Sequence, residues 1–374
     1  LEAYAGYPSE AMRIAAVVAL RRLRAVKELT AFVNGASPQV MSDAVRAIYD
    51  EAAPQTFVEH PKALAAVAAA LDPQHSAPVN VRAIAANRRL GTIASAKRIS
   101  DFLATPNLGR ALRVEALYAL QSWPQASTLD PIDGRYFPIP AGDLDTLSAA
   151  IGPEIWSLAN DADDKVSRRA IAVLQSIKPN KAQRDQVAGF VLDEGQRSTV
   201  RKAWLRWLRK QDLALFTSVG VKALCSKSPE LRVVAAQELM GAKQGRSAVN
   251  SYLLATLKNS GDTVELQRAI KMVPRLPSKK SIIEQLVKEL IAGRIAPDIQ
   301  LEVLETATTA TRDYTELKLQ LEQYQNSINK EGVMARYGVA LQGGNAEKGR
   351  GIFFGHAQAQ CSKCHALKQI DKQV

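Results

Sequence analysis

The sequence predicts an all-α protein: an α-solenoid of stacked helical hairpins, followed by a C-terminal segment of different character. Three observations carry this. Apolar residues make up 47% of the 374 positions and aromatics only 6%, which suits Ala-packed helices better than aromatic-rich sheets. One apolar-Arg pattern recurs along most of the chain, and the composition changes at Gly343. A chain of this length exceeds what one compact core usually holds, so two domains or a repeat array is expected.

The recurring pattern is a turn, then an apolar-Arg pair opening an amphipathic stretch rich in Ala and Leu. It stands at Met12-Arg13-Ile14-Ala15-Ala16, Val45-Arg46-Ala47-Ile48, Val81-Arg82-Ala83-Ile84 and Leu112-Arg113-Val114-Glu115-Ala116. Further copies are Ser167-Arg168-Arg169-Ala170-Ile171, Val200-Arg201-Lys202-Ala203-Trp204 and Leu231-Arg232-Val233-Val234, with degenerate ones around Arg268 and at Ile299-Gln300-Leu301. Most neighbouring anchors are 31 to 36 positions apart, room for two short helices. The second helix of a unit is visible at 95–104 and 281–292. A hairpin of this kind buries both apolar stripes only by stacking on its neighbours.

The period is near the tetratricopeptide value, but the Trp, Gly and Tyr positions of that consensus are not filled. An apolar-Arg pair followed by Ala-Ala or Ala-Leu instead resembles HEAT-like repeats, over roughly residues 9 to 310. That resemblance implies a fold and is nearly silent on function.

The interval from Arg113 to Arg168 is longer than the rest. Its excess, Leu129-Asp130-Pro131-Ile132-Asp133-Gly134-Arg135-Tyr136-Phe137-Pro138-Ile139-Pro140, is too rich in Pro and Gly for helix and reads as an insertion loop near 124–143. Asp130, Asp133, Asp143 and Asp145 could offer oxygens to calcium, but the spacing fits no EF-hand loop, and turn or capping carboxylates are the expectation.

The stretch 200–210 interleaves Arg201, Lys202, Arg206, Arg209 and Lys210 with Trp204 and Trp207, as a base-stacking surface might. Helical periodicity argues otherwise: Val200, Trp204, Trp207 and Leu208 fall on one stripe, so the tryptophans are expected in the core and no nucleic-acid partner is expected. Cys225, in the apolar run Val221-Lys222-Ala223-Leu224-Cys225, is expected to be a small buried hydrophobe.

A formal charge of +12 would favour an acidic protein, an anionic membrane surface or nucleic acid, and cannot choose among them. No apolar run approaches the roughly 18 residues of a membrane helix. The opening Leu1-Glu2-Ala3-Tyr4 has neither an initiator Met nor an export-signal pattern, and a processed or partial chain is expected. His60 and His75 stand near Pro in inter-repeat turns and receive no role.

Chemistry concentrates at the C-terminus. The polar helix signature around Glu316-Leu317-Lys318-Leu319 gives way to Gly343-Gly344-Asn345-Ala346-Glu347-Lys348-Gly349-Arg350-Gly351-Ile352-Phe353, and then to Cys361-Ser362-Lys363-Cys364-His365. C-x-x-C-H is the signature of c-type haem attachment: thiols one turn apart form thioethers with the two vinyl groups, and the adjacent His presents an imidazole to iron. A zinc site using His356, Cys361, Cys364 and His365 is the nearest rival, although no second cysteine pair exists. A redox dithiol would want a βαβ context that this sequence lacks.

The stretch before the motif, with Ala346, Gly349 and Phe353 in an Ala-x-x-Gly-x-x-x-Phe pattern, resembles the first helix of class I cytochrome c domains. A HEAT-like array running into such a segment resembles the C-terminal half of secreted planctomycete- and verrucomicrobia-type proteins that begin with a quinoprotein-dehydrogenase-like propeller. The resemblance implies one covalent haem c, held by Cys361 and Cys364 with His365 as axial ligand. It also implies electron transfer with a redox partner protein or fused dehydrogenase domain, in the periplasm or outside the cell. No catalytic residue is visible. The expected organisation is a HEAT-like array over 1–310, a connecting helical segment over 311–342 and the truncated start of a cytochrome c domain over 343–374. All five methionines precede the motif, so a sixth ligand is expected beyond Val374.

Overall fold

The computed structural model describes residues 7–35, 37–50, 60–310, 312, 314–329, 335–356 and 358–365. The chain divides into two compact units, 1–219 and 220–374. Described secondary structure is helical apart from one short hairpin.

The first unit contains α1 (Glu10–Arg22), α2 (Val26–Gly35), α3 (Pro38–Tyr49), α4 (His60–Ala69), α5 (Ala77–Leu90), α6 (Ile93–Leu103) and α7 (Arg110–Gln121). After the hairpin come α8 (Leu144–Ala150), α9 (Pro153–Leu158), α10 (Asp164–Leu174), α11 (Lys181–Leu192) and α12 (Ser198–Gln211), and the division falls inside α13 (Leu213–Ala223). The helices carrying the anchor arginines form one layer, α1 on α3, α3 on α5, α5 on α7, α7 on α10 and α10 on α12. Their partners pack beside them, α2 with α3, α4 with α5, α6 with α7 and α11 with α12, as the hairpin period requires.

Small side chains let this layer close up: Ala83, Ile84, Ala85 and Ala86 of α5 are all buried. Helix starts follow local chemistry. Thr92, Asp143, Asp163 and Asn180 accept hydrogen bonds from first-turn amides, and Asn180 forms a capping box with Gln183. Several anchor arginines reach one repeat along. Arg13 meets Asp43 at 2.6 Å, Arg82 meets Asp50 at 3.1 Å, and Arg113 pairs with Asp161. The anchor does not always open its helix: Arg46 lies in the last turn of α3 and pairs within it, with Asp50 at 3.5 Å.

The expected core stripe of α12 is present, with Val200, Trp204, Trp207 and Leu208 buried. Trp156 stacks on Trp204 at 6.1 Å, Trp207 meets both edge-on, and the Trp207 indole N–H donates to the Leu174 carbonyl at 3.0 Å. Arg201, which the periodicity leaves unassigned, joins this buried face. It donates to the Val191 carbonyl at 2.8 Å and grips Glu194 with two bonds of 2.7 and 3.0 Å.

The insertion is an antiparallel hairpin of β1 (Ser127–Leu129) and β2 (Tyr136–Ile139), with Ser127 opposite Ile139 and Leu129 opposite Tyr136. Two arginines closing α5 hold it. Arg88 donates to the carbonyls of Pro140, Ser122 and Gln125, and Arg89 lies between the rings of Tyr49 and Phe137 at 3.7 and 4.0 Å. Asp130, expected as a turn or capping carboxylate, accepts from the Ile132 N–H in its turn and is also buried against Arg89 at 2.7 Å. Asp143 is the N-cap of α8, an ordinary capping role.

In the second unit α14 (Pro229–Gly241) stacks on α16 (Thr263–Met272) and α16 on α18 (Gln300–Ala310), again the anchor layer. Beside them lie α15 (Arg246–Asn259), α17 (Lys279–Ile291) and α19 (Thr315–Asn329). Cys225 corrects the sequence reading. The helix ends at Ala223, so the apolar period stops two residues early and Cys225 sits exposed in the following turn.

Candidate functional site

The terminal segment starts from a fixed point. Gly343 has φ of 72°, and a Cβ there would lie 2.0 Å from the Asp298 carbonyl oxygen. Only glycine fits that approach. The Gln267 side-chain amide donates to both the Asp298 and Gly343 carbonyls, at 2.8 and 3.0 Å, tying the segment to the turn before α18.

Asn345 then caps α20 (Ala346–Gly355), its Oδ1 accepting from Lys348 N–H at 2.8 Å. No residue of α20 is buried; Ile352 is 54% and Phe354 47% exposed. Phe353 and Phe354 meet edge-on at 4.9 Å, and Arg350 lies over Phe354 at 5.5 Å. The close packing that the cytochrome resemblance implies at Gly349 is not made among the described residues, since a Cβ there would meet nothing within 4 Å.

α20 packs against a single 3₁₀ turn, Cys361–Lys363, entered through Gln360 in the left-handed region at φ 44°. The Cys361 carbonyl accepts from the N–H groups of both Cys364, at 3.3 Å, and His365, at 2.9 Å. These bonds wind residues 361–365 into one turn. Cys361 is half-buried, Cys364 and His365 are exposed, and neither cysteine forms a disulfide.

His356 is committed locally, its Nδ1 accepting from the Ala359 N–H at 3.1 Å. Among the described residues no three His, Cys, Asp or Glu side chains gather so as to hold a metal ion, so the four-ligand zinc set is not assembled. A haem would need two thiols, one imidazole and apolar surface: the turn supplies Cys361, Cys364 and His365, while Ile352 and Phe354, two positions apart in α20, lie on different sides of that helix.

Other sequence candidates have local partners of their own. His75 Nδ1–H donates to the Ala70 carbonyl, 2.9 Å away, in an inter-repeat turn. The side chain of His60 and the residues after His365 lie outside the described residues. Asp130 is held by Arg89 and Tyr49, which leaves no calcium role for it. The Gly343 anchor was missed by sequence reading; the Gly343-Gly344 pair was its one local sign.

The fold is that of a HEAT-like helical-repeat protein, with Cys361, Cys364 and His365 on one turn near its C-terminus. The fold likeness is to a solved HEAT-repeat protein, in the crystal structure of Kap121p bound to Pho4p, with a TM-score of 0.55 and 11% identity, covering 91% of this chain. The chain spans 44% of the length of that one. No family model matches the chain, and no curated protein matches it in sequence. Among the described residues no helix is long and apolar enough to cross a membrane.

Proposed function

We propose that this protein carries electrons through one covalently attached c-type haem, on a HEAT-like scaffold that docks its redox partner. The observation that carries the proposal is the single backbone turn that holds Cys361, Cys364 and His365, with both thiols free of a disulfide.

Bound there, a haem supplies a one-electron couple. Cys361 and Cys364 would hold it through thioethers, each thiol adding across one vinyl double bond with no leaving group and no oxidant, and His365 would offer an imidazole nitrogen to the iron. Ile352 and Phe354 offer apolar surface that is otherwise left in water. Covalent attachment places the protein in the periplasm or outside the cell, with a separate or fused dehydrogenase as electron donor.

A second reading is a protein-binding HEAT-like scaffold in which the C-x-x-C-H turn is incidental or takes zinc. The likeness to a HEAT-repeat protein solved with a bound protein favours it. An absorption spectrum separates the two. The chain produced with haem-maturation machinery is expected to show a reducible haem that survives acid extraction, absent from Cys361→Ser/Cys364→Ser. A colourless chain with stoichiometric zinc would replace this reading with the scaffold.

A further inference from the structure

Between α14 and α15 the chain turns through Lys243 and Gly245, both left-handed at φ 55° and 58°. The turn is tight: a Cβ on Gly245 would lie 3.2 Å from Val221 and 3.3 Å from Leu239. Beside it opens a pocket of about 300 Å³, bordered by Lys243, Arg246 and Arg275. Its floor is aliphatic, from Met240, Val249 and Leu276, the last two buried.

The charge here is unbalanced. Elsewhere in this unit cations sit against acids, Arg232 on Glu265 at 2.6 Å and Arg294 on Glu289 at 2.5 Å. No carboxylate lines the pocket, and none of its three cations pairs with a described residue. Between residues 241 and 280 the sequence has eight Lys and Arg and two acids, Asp262 and Glu265; Lys271 and Lys280 pair with Glu302, Glu305 and Glu284 outside this stretch, which leaves Lys243, Arg246 and Arg275 at the pocket. Both acids are occupied, Glu265 by Arg232, Tyr252 and Ser260, and Asp262 by capping α16.

We infer that this pocket docks a short acidic segment of a partner protein, one presenting carboxylates beside an aliphatic side chain. The three cations supply charge complementarity, which steers encounter and selects the partner. The aliphatic floor gives the neighbouring side chain a place to leave water, and the volume is at the small end for binding pockets, enough for a side chain or two. Nucleic acid fits less well. No aromatic ring lines the pocket for a base to stack on, and the cations rim a hollow rather than a track for a phosphate backbone. This inference does not rest on the haem.

The test is fluorescence anisotropy on the full chain. The probe is a labelled hexapeptide of alternating leucine and glutamate, compared with a serine and glutamate version and a labelled oligouridylate. Lys243→Glu/Arg246→Glu/Arg275→Glu reverses the pocket, and Lys222→Glu/Lys258→Glu/Lys288→Glu makes the same charge change on exposed positions outside it. The expected result is binding of the leucine peptide, stronger than the serine one, weakened about tenfold or more by the pocket variant and little by the other. No peptide binding, or equal losses in both variants, would overturn the inference. So would tighter oligouridylate binding abolished by the pocket variant, which would make the site one for nucleic acid.

Discussion

Replacing Asp130 by Ala would strand a buried cation. The Asp130 carboxylate accepts from Arg89 at 3.1 and 2.7 Å, from the Tyr49 hydroxyl at 2.7 Å and from the Ile132 N–H at 2.9 Å. The side chains of Arg89 and Asp130 are 3% and 0% exposed, so water cannot take over. Burial, with the Asp130 charge beside it, holds the Tyr49 phenol protonated far above its usual range, so Tyr49 offers no compensating charge. Removing one partner of such a pair costs about 3–5 kcal/mol. The assay is urea unfolding followed by tryptophan fluorescence, because Trp123, Trp156, Trp204 and Trp207 all lie in the first unit and report it alone. The midpoint of Asp130→Ala should fall by about 1 M or more. Arg89→Met/Asp130→Ala removes the stranded charge and should recover at least about 1 kcal/mol of the sum of the single losses. A midpoint that does not move, or losses that simply add, would refute the buried-pair reasoning.

In the same assay Trp204→Ala should cost about 3–5 kcal/mol through the cavity it opens beside Trp156 and Trp207; a loss near that of a surface substitution would contradict the stacked core. Cys225, exposed in its turn, should react with a thiol reagent in the folded Cys361→Ser/Cys364→Ser chain as fast as in urea; protection would restore the buried reading. Burial pushes the Glu265 carboxyl up, but hydrogen bonds from Arg232, Ser260 and Tyr252 outweigh it, so it titrates below the ordinary range. A depressed carboxyl adds stability that is complete above its unfolded value of about 4.3 and lost as pH falls through the folded value. Hydrogen exchange in α14 and α16 should therefore quicken as pH drops below about 4 after correction for intrinsic rates, and Glu265→Gln should remove that dependence; an unchanged profile in Glu265→Gln would place the cause elsewhere.

The repeat architecture was legible because its signals are local and recur. An apolar-Arg pair near every 33 residues marks the layer in which α1, α3, α5 and α7 stack, and the stripe at Val200, Trp204, Trp207 and Leu208 marks a buried face. What escaped depends on distance along the chain or on where a helix stops. Asp130 looks like a turn carboxylate until Arg89 and Tyr49, 41 and 81 residues away, are brought against it. Arg201 has no place assigned by the periodicity until Glu194 and the Val191 carbonyl fold back onto it. Cys225 follows the apolar period, but the helix ends before reaching it. The C-x-x-C-H motif stands out in the sequence for the opposite reason, since it spans only five consecutive residues. Its attachment to the unit was hidden, because Gly343 meets Asp298 and Gln267 from distant repeats.

The most direct measurement on the central proposal is the intact mass of the denatured chain after production with haem-maturation machinery. A covalent c-type haem adds the mass of one haem to the native sequence and none to Cys361→Ser/Cys364→Ser. An unmodified mass for both proteins would contradict haem attachment at Cys361 and Cys364.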